Sequence, residues 1–248
     1  MEEQQQTAPE TQSLGSRIMN VFSSPGEAFD GITTLESKTS LWLVPLLVAI
    51  LIATALSFVI SSNESLRGQI IEMQRTAMQE QVDKGNMTQA QADLQIGQME
   101  RAGTLFAVFG AIFAVVGLSL MYFLGTLVLW LVGRFAMGGA HGYSTYLAMY
   151  GTASWIAILG SVITALMMVG MNSMFATPSA GLAVLGEYDF ANSTHKLLSK
   201  IELFSLWEAV VVGIGLSKLT GKSSSVGIAA AFGLLIVWHV FSWFVLGR

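Results

Sequence analysis

Read for apolar and polar positions alone, the chain alternates long apolar runs with polar stretches. Residues 41–60 are twenty positions without a charge, which matches the ~30 Å hydrocarbon core of a bilayer. Residues 104–132 form a longer run that must tilt or emerge. Three more follow at 144–171, 201–218 and 224–246. The turn at 219–223 is so short that the last two runs must be antiparallel neighbours. The pattern predicts an all-α polytopic bundle of five transmembrane helices.

The polar stretches have structure of their own. Residues 1–14 read as a disordered tail. Ile18, Met19, Val21 and Phe22 share one side of a short helix. A second begins at Ser24, an N-cap candidate, with Pro25 at the first helical position and Glu27 three after the cap. Short amphipathic helices before a span either lie in the membrane interface or pack on the bundle's cytosolic face. Between the first two spans, residues 61–103 carry Leu66, Ile70, Met73 and Ala77 at helical spacing. Gly85-Asn86 breaks that pattern, and Thr88 with Gln91 forms a capping box. This predicts an external helical hairpin. Residues 172–200 form a second external loop, whose apolar middle at 180–185 is too short to span and can dip into or lie on the membrane. The organisation is therefore a cytosolic tail over 1–37 and a membrane domain over 38–248, with the hairpin 61–103 inserted in it.

Small residues mark the expected helix contacts: Gly110, Ala114, Gly117 and Gly125 on span two, Ser154, Ala157, Ser161 and Ala165 on span three, and Gly227, Ala230 and Gly233 on span five. Such ridges let helices approach closely in lipid. They can serve contacts between copies of the chain as well as within one.

Composition supports the class. Of 248 residues, 53% are hydrophobic and 11% charged, against about 25% charged in soluble domains. The net charge of −4 argues against a nucleic-acid partner. There is no cysteine, so no disulfide framework and no thiolate chemistry. The acidic, Gln-rich start lacks a basic region before an apolar one, so the first span is expected to act as its own targeting signal. Total Lys and Arg do not decide orientation. The two short turns do, because they carry Arg134, Lys218 and Lys222 and no acidic residue. Positive-inside counting then places the N-terminus in the cytosol and the C-terminus outside.

Several local patterns occur together and in order: Ser24-Pro25 with Phe29 and Ile32 before the first span; Arg134 with Gly138-Gly139, Tyr143 and the 150–157 region; and Phe204, Trp207, Gly213, Gly215 and Leu216 before a small-residue last span. In these the chain resembles the Yip family, membrane proteins named for binding Ypt/Rab GTPases, and in particular its compact bacterial-type members. It departs in having Ser154 where many relatives have Pro near the start of span three, Glu202 where Asp is common, and the 61–103 insertion. The resemblance implies five helices, a cytosolic N-terminus, placement in a bacterial cytoplasmic (inner) membrane, and no established catalytic activity.

Candidate chemistry centres on Glu208, an ionisable group inside an apolar run, which needs a partner or a water-filled cavity. On a helix it shares a face with Phe204, Ser205, Val212 and Gly215. At ~1.5 Å per residue, Glu208 is roughly 15 Å from Lys218, and His239 is roughly 21 Å from Ser225. The two stand at similar depths on neighbouring helices, which makes Glu208 and His239 a candidate intramembrane polar pair. Three readings stay open: a proton or cation site in a transport path, a neutral carboxylic acid bonded to a hydroxyl, or a water-exposed Glu near the surface. Arg134 is a candidate contact for a lipid headgroup phosphate, or simply the anchor of a helix end. Met167, Met168, Met171 and Met174 read as adaptable packing more than as copper ligands. No H-E-x-x-H or G-x-S-x-G motif occurs, and the three histidines fall in different regions, so no enzyme is expected. No cofactor is expected either. The expected role is non-enzymatic, organising the membrane or engaging lipids and partner proteins. The alternative is a small transporter, channel or lipid-moving protein using Glu208 and His239.

Overall fold

A computed structural model describes residues 12–102 and 104–245. The tail read as disordered lies, through residue 11, outside the described residues, as does the last position of the run 224–246. Eleven α-helices follow in order: α1 Leu14–Ser23, α2 Pro25–Ala28, α3 Thr39–Ser62, α4 Glu64–Asp83, α5 Gln89–Arg101, α6 Thr104–Leu131, α7 Tyr143–Ala153, α8 Trp155–Gly170, α9 Ser193–Lys200, α10 Leu203–Thr220 and α11 Ser224–Val245. Among the described residues, five segments are long and apolar enough to cross a membrane: Thr39–Ser62, Ala107–Ala136, Tyr143–Gly170, Leu203–Thr220 and Ser224–Phe244. The all-α, five-span architecture read from the apolar runs is the architecture observed. The described residues divide into two compact units, one over 12–47, 121–157 and 207–245, the other over 48–120 and 158–206.

In the first unit, α1 and α2 form a hairpin against α10. Ser13 caps α1 by accepting from Ser16 N at 3.1 Å. Pro25 opens α2. Arg17 is buried at 2% exposure, and its guanidinium donates to Ala28 O at 2.8 Å and Asp30 O at 2.9 Å. It thereby satisfies carbonyls at the end of α2 that have no helical donor. Burial pulls the Arg17 pKa below its ordinary value, and the Asp30 charge opposes that shift; a guanidinium stays charged regardless. Phe22 meets Trp207 edge-on at 5.8 Å, and Lys218 pairs with Asp30 at 2.8 Å. Trp207 and Lys218 are eleven positions apart on α10, a rise of ~16 Å. The two short helices therefore run alongside α10.

α10 and α11 pack backbone to backbone. A Cβ on Gly213 would overlap the Ile228 backbone, and one on Gly227 would overlap Gly213 O and Ser217 Oγ. Only glycine at both positions permits this separation. Gly227 was expected at such a contact. Gly233 has nothing within 4 Å of a would-be Cβ.

The third span is not one helix. It breaks at Ser154, between α7 and α8. Ser154 Oγ donates back to Gly151 O at 2.9 Å, so the side chain competes for a carbonyl of the helical ladder. Its expected small-residue face also shifts. Ser154 is buried but Ala157 is exposed, and the buried line runs through Ala153, Ile156 and Gly160. Span two ends in a π-helical turn, Val132–Ala136.

In the second unit, Gly110 of α6 packs on Ser57 of α3, where a Cβ would stand 3.3 Å from the Ser57 hydroxyl. Gly160 of α8 packs on the Phe204 side chain. The hairpin α4–α5 forms as the sequence indicates. Asn63 caps α4, and the Thr88–Gln91 capping box is complete. Leu66 is fully buried, Ile70 and Met73 half-buried, and Ala77 exposed. Gln69 holds the hairpin to the turn after α8, donating to Asn172 O at 3.0 Å and accepting from Met174 N at 2.9 Å. A 3₁₀ segment, Ala180–Glu187, and α9 precede α10. Glu202 caps α10, its carboxylate accepting from Phe204 N at 3.0 Å, Ser205 N at 2.6 Å and Ser205 Oγ at 2.7 Å.

Arg17→Ala removes two charge-assisted hydrogen bonds and leaves two carbonyls unsatisfied. We expect a loss of about 3 kcal/mol, read as a lower thermal midpoint in detergent. Arg17→Lys, which cannot donate to both carbonyls in the same planar geometry, should recover only part of it.

Candidate functional site: a polar focus beside Glu208

Pro45 lies inside α3. It has no N–H, so the Leu41 carbonyl lacks its i+4 donor. In a bilayer such groups must be covered by protein. Two neighbouring helices close over this turn. Tyr122 of α6 donates its hydroxyl to Trp42 O at 3.1 Å. Gly151 of α7 lets its helix close over the same turn: a Cβ there would overlap Leu41 O and stand 2.6 Å from the Tyr122 hydroxyl. The Tyr122 and Tyr150 rings meet at 5.0 Å. Ser154 adjoins the Tyr122 hydroxyl.

Glu208 joins this group from α10. Its carboxyl lies within electrostatic range of both Tyr122 and Tyr150, and Oε1 is shut off from solvent. Its expected face points inward, with Phe204 and Val212 buried and Gly215 against Met149 and Phe29. Glu208 therefore lies within electrostatic range of two tyrosine hydroxyls on neighbouring helices.

His239 stands on α11, the packed antiparallel neighbour of α10. Its Nδ1 is enclosed, and its carbonyl accepts from Ser242 Oγ at 3.0 Å. Around it on the helix, Ile236, Val237, Trp238 and Val240 are exposed. Arg134 is elsewhere, in the π turn at the end of span two. Its side chain is exposed, with one long contact from Nη1 to Ala140 O at 3.4 Å. Beneath it, Tyr146 is fully buried against Gly133 and Gly139. Arg134 thus belongs to a helix end and does not join Glu208.

The sequence reading missed Tyr122, Tyr150, Gly151 and Pro45 as members of one cluster. Two signals were there to be used: a proline within a charge-free span, and two tyrosines inside apolar runs.

Five apolar spans with an internal polar focus define a multi-pass α-helical integral membrane protein. The Yip1 domain matches residues 19–246, and the chain belongs to that family, which is not a known enzyme family. It is 29% identical over 154 residues to membrane protein YknW of Bacillus subtilis (strain 168), covering 60% of this chain and 64% of YknW. The chain thus matches just under two thirds of that relative's length. No solved structure matches.

Gly151→Leu should prevent α7 from closing on α3 and cost at least about 3 kcal/mol by overpacking. Tyr122→Phe, which keeps the ring and removes the hydroxyl that bonds Trp42 O and adjoins Ser154, should cost about 1 kcal/mol. Thermal unfolding of the two variants in one detergent checks both the size and the order of these effects.

Proposed function

We propose that this protein works without catalysis, as a membrane-organising component that acts through helix–helix and lipid contacts. It would sit in a bacterial cytoplasmic membrane with its N-terminus in the cytosol and its C-terminus outside. The observation that carries this reading is the surface of the spans. On α6, Phe109 is 67% and Phe113 78% exposed, and α11 presents Val237, Val240, Phe241 and Phe244 in the same way. These are faces for lipid, further copies of the chain or another membrane protein. The Tyr122, Thr126, Thr152 and Ser217 hydroxyls of the first unit meanwhile donate to helix carbonyls.

Arg134 would contact a lipid headgroup phosphate at the cytosolic surface, since its side chain is exposed at a span end. Purification in mild detergent with mass spectrometry of bound lipid and protein tests the role. We expect retained phospholipid, with anionic lipid reduced in Arg134→Gln. A preparation with neither bound lipid nor bound protein counts against the proposal. Ion or proton flux in proteoliposomes that is lost in Glu208→Gln would replace it with transport.

Within the membrane we assign Glu208 and His239 as a polar pair on adjoining helices. A double-mutant cycle with Glu208→Gln and His239→Gln should give a coupling between about 0.5 and 3 kcal/mol in thermal unfolding. Additive effects would separate the two residues.

A further inference from the structure

The segment leading into span four presents an apolar edge. In α9 and the turn after it, Leu197 is 57%, Ile201 50% and Leu203 60% exposed. Leu197 lies on α9, and Ile201, four positions on, is its C-cap. On the other side of the helix, Ser199 is turned inward, its hydroxyl donating to the Tyr188 hydroxyl at 3.1 Å.

This edge is not a loose tail. Asn192 caps α9 by accepting from Thr194 N at 2.9 Å. Ala180 N donates to Ile201 O at 3.0 Å, and Leu203 N to Pro178 O at 2.9 Å. Gly181 allows the 3₁₀ segment to pack on Ser199. Tyr188 stacks on Phe175 at 4.1 Å. The helix is thus held in one orientation at the mouth of span four.

What covers the edge follows from its position. Leu203 is the first residue of a membrane span, so its exposed side chain stands at the hydrocarbon boundary. Leu197 is six residues earlier, and the chain leaves the helix between them at Ile201 (φ −84°, ψ 76°), so α9 does not continue α10 as one helix. The headgroup layer on each side of the hydrocarbon is about 5–7 Å thick. A helix laid along that layer would keep Leu197 and Ile201 against lipid, next to Leu203. The flanking residues suit such a site. Lys196 carries a long aliphatic stem, its ammonium lying over the Phe190 ring at 4.7 Å, and lysine stems of this kind cover apolar surface while the charge stays wet. Ser193 and Thr194 are exposed at the other end of the helix.

We propose that α9 is an interfacial foot that lies on the phospholipid surface at which span four begins, with Leu197 and Ile201 in the acyl-chain boundary and Thr194 in water. The inference rests on the spans alone and stands apart from the role proposed for Arg134. It would fix the depth at which α10 begins.

The natural chain has no cysteine, so single replacements can be labelled cleanly. Leu197→Cys, Ile201→Cys and Thr194→Cys would each be spin-labelled and reconstituted in phosphatidylethanolamine–phosphatidylglycerol vesicles. Power saturation then compares collision with oxygen, which partitions into lipid, and with a water-soluble nickel chelate. All three side chains are on the surface, so labelling leaves the core intact. We expect the oxygen-to-nickel ratio at Leu197 and Ile201 to exceed that at Thr194 several-fold. Equal ratios at Leu197 and Thr194 would place the helix in water and overturn the proposal. Exclusion of both reagents at Leu197 would also overturn it, by showing that protein covers the edge.

Discussion

A bilayer offers no water to an exposed N–H or C=O, and that constraint bears most on the turn around Pro45. Pro45 deprives Leu41 O of its donor, and the same turn receives the Tyr122 hydroxyl and the close approach of Gly151. Hydroxyls inside the spans turn back on their own helices: Thr126 to Tyr122 O, Thr152 to Ala148 O and Ser217 to Gly213 O. Each bond lets a polar side chain sit in an apolar element without a partner from another helix. The polar focus beside Glu208 is a consequence of the same rule. Once a helix is broken in lipid, neighbouring groups must converge on the break, and their convergence creates a place where a carboxyl group can be held.

The N-terminal hairpin meets the constraint differently. Its helices are too short to satisfy themselves, so Arg17 supplies two donors to the end of α2. A buried guanidinium is costly unless it is bonded, and its two bonds couple the placement of α1 to that of α2. Phe22 on Trp207 and Asp30 on Lys218 then bind the pair along α10. The exposed ion pair contributes little; packing and the Arg17 bonds carry the attachment. Membership of the Yip1 domain family agrees with this arrangement, since the match begins within α1 and runs through the last span.

Much of this was legible from residue order, because the signals are local. Charge-free runs of bilayer length identify spans. Thr88 with Gln91 announces the start of α5, and the five-residue turn at 219–223 forces α10 and α11 together. The inward face of α10 followed from helical periodicity around Glu208. The break at Ser154 was not legible, because a serine in a helix bends it or does not according to which carbonyl its hydroxyl finds. The line of contact on α8 was also misplaced, since Gly160 is set against Phe204 by a helix distant in sequence. What joins Tyr122 and Tyr150 is tertiary: the Trp42 carbonyl on α3 and Glu208 on α10.

Sequence by itself determined that this is a five-span helical membrane protein with a capped hairpin between its first two spans. Hydrophobic length and capping act within a dozen or two residues, so they are written in order along the chain. Only the tertiary structure decided that α1 and α2 lie along α10, that span three is two helices, and that residues from α3, α6, α7 and α10 share one polar focus. Those outcomes depend on which unsatisfied carbonyl meets which hydroxyl across helices, and that is settled by packing distance, not by spacing in the chain.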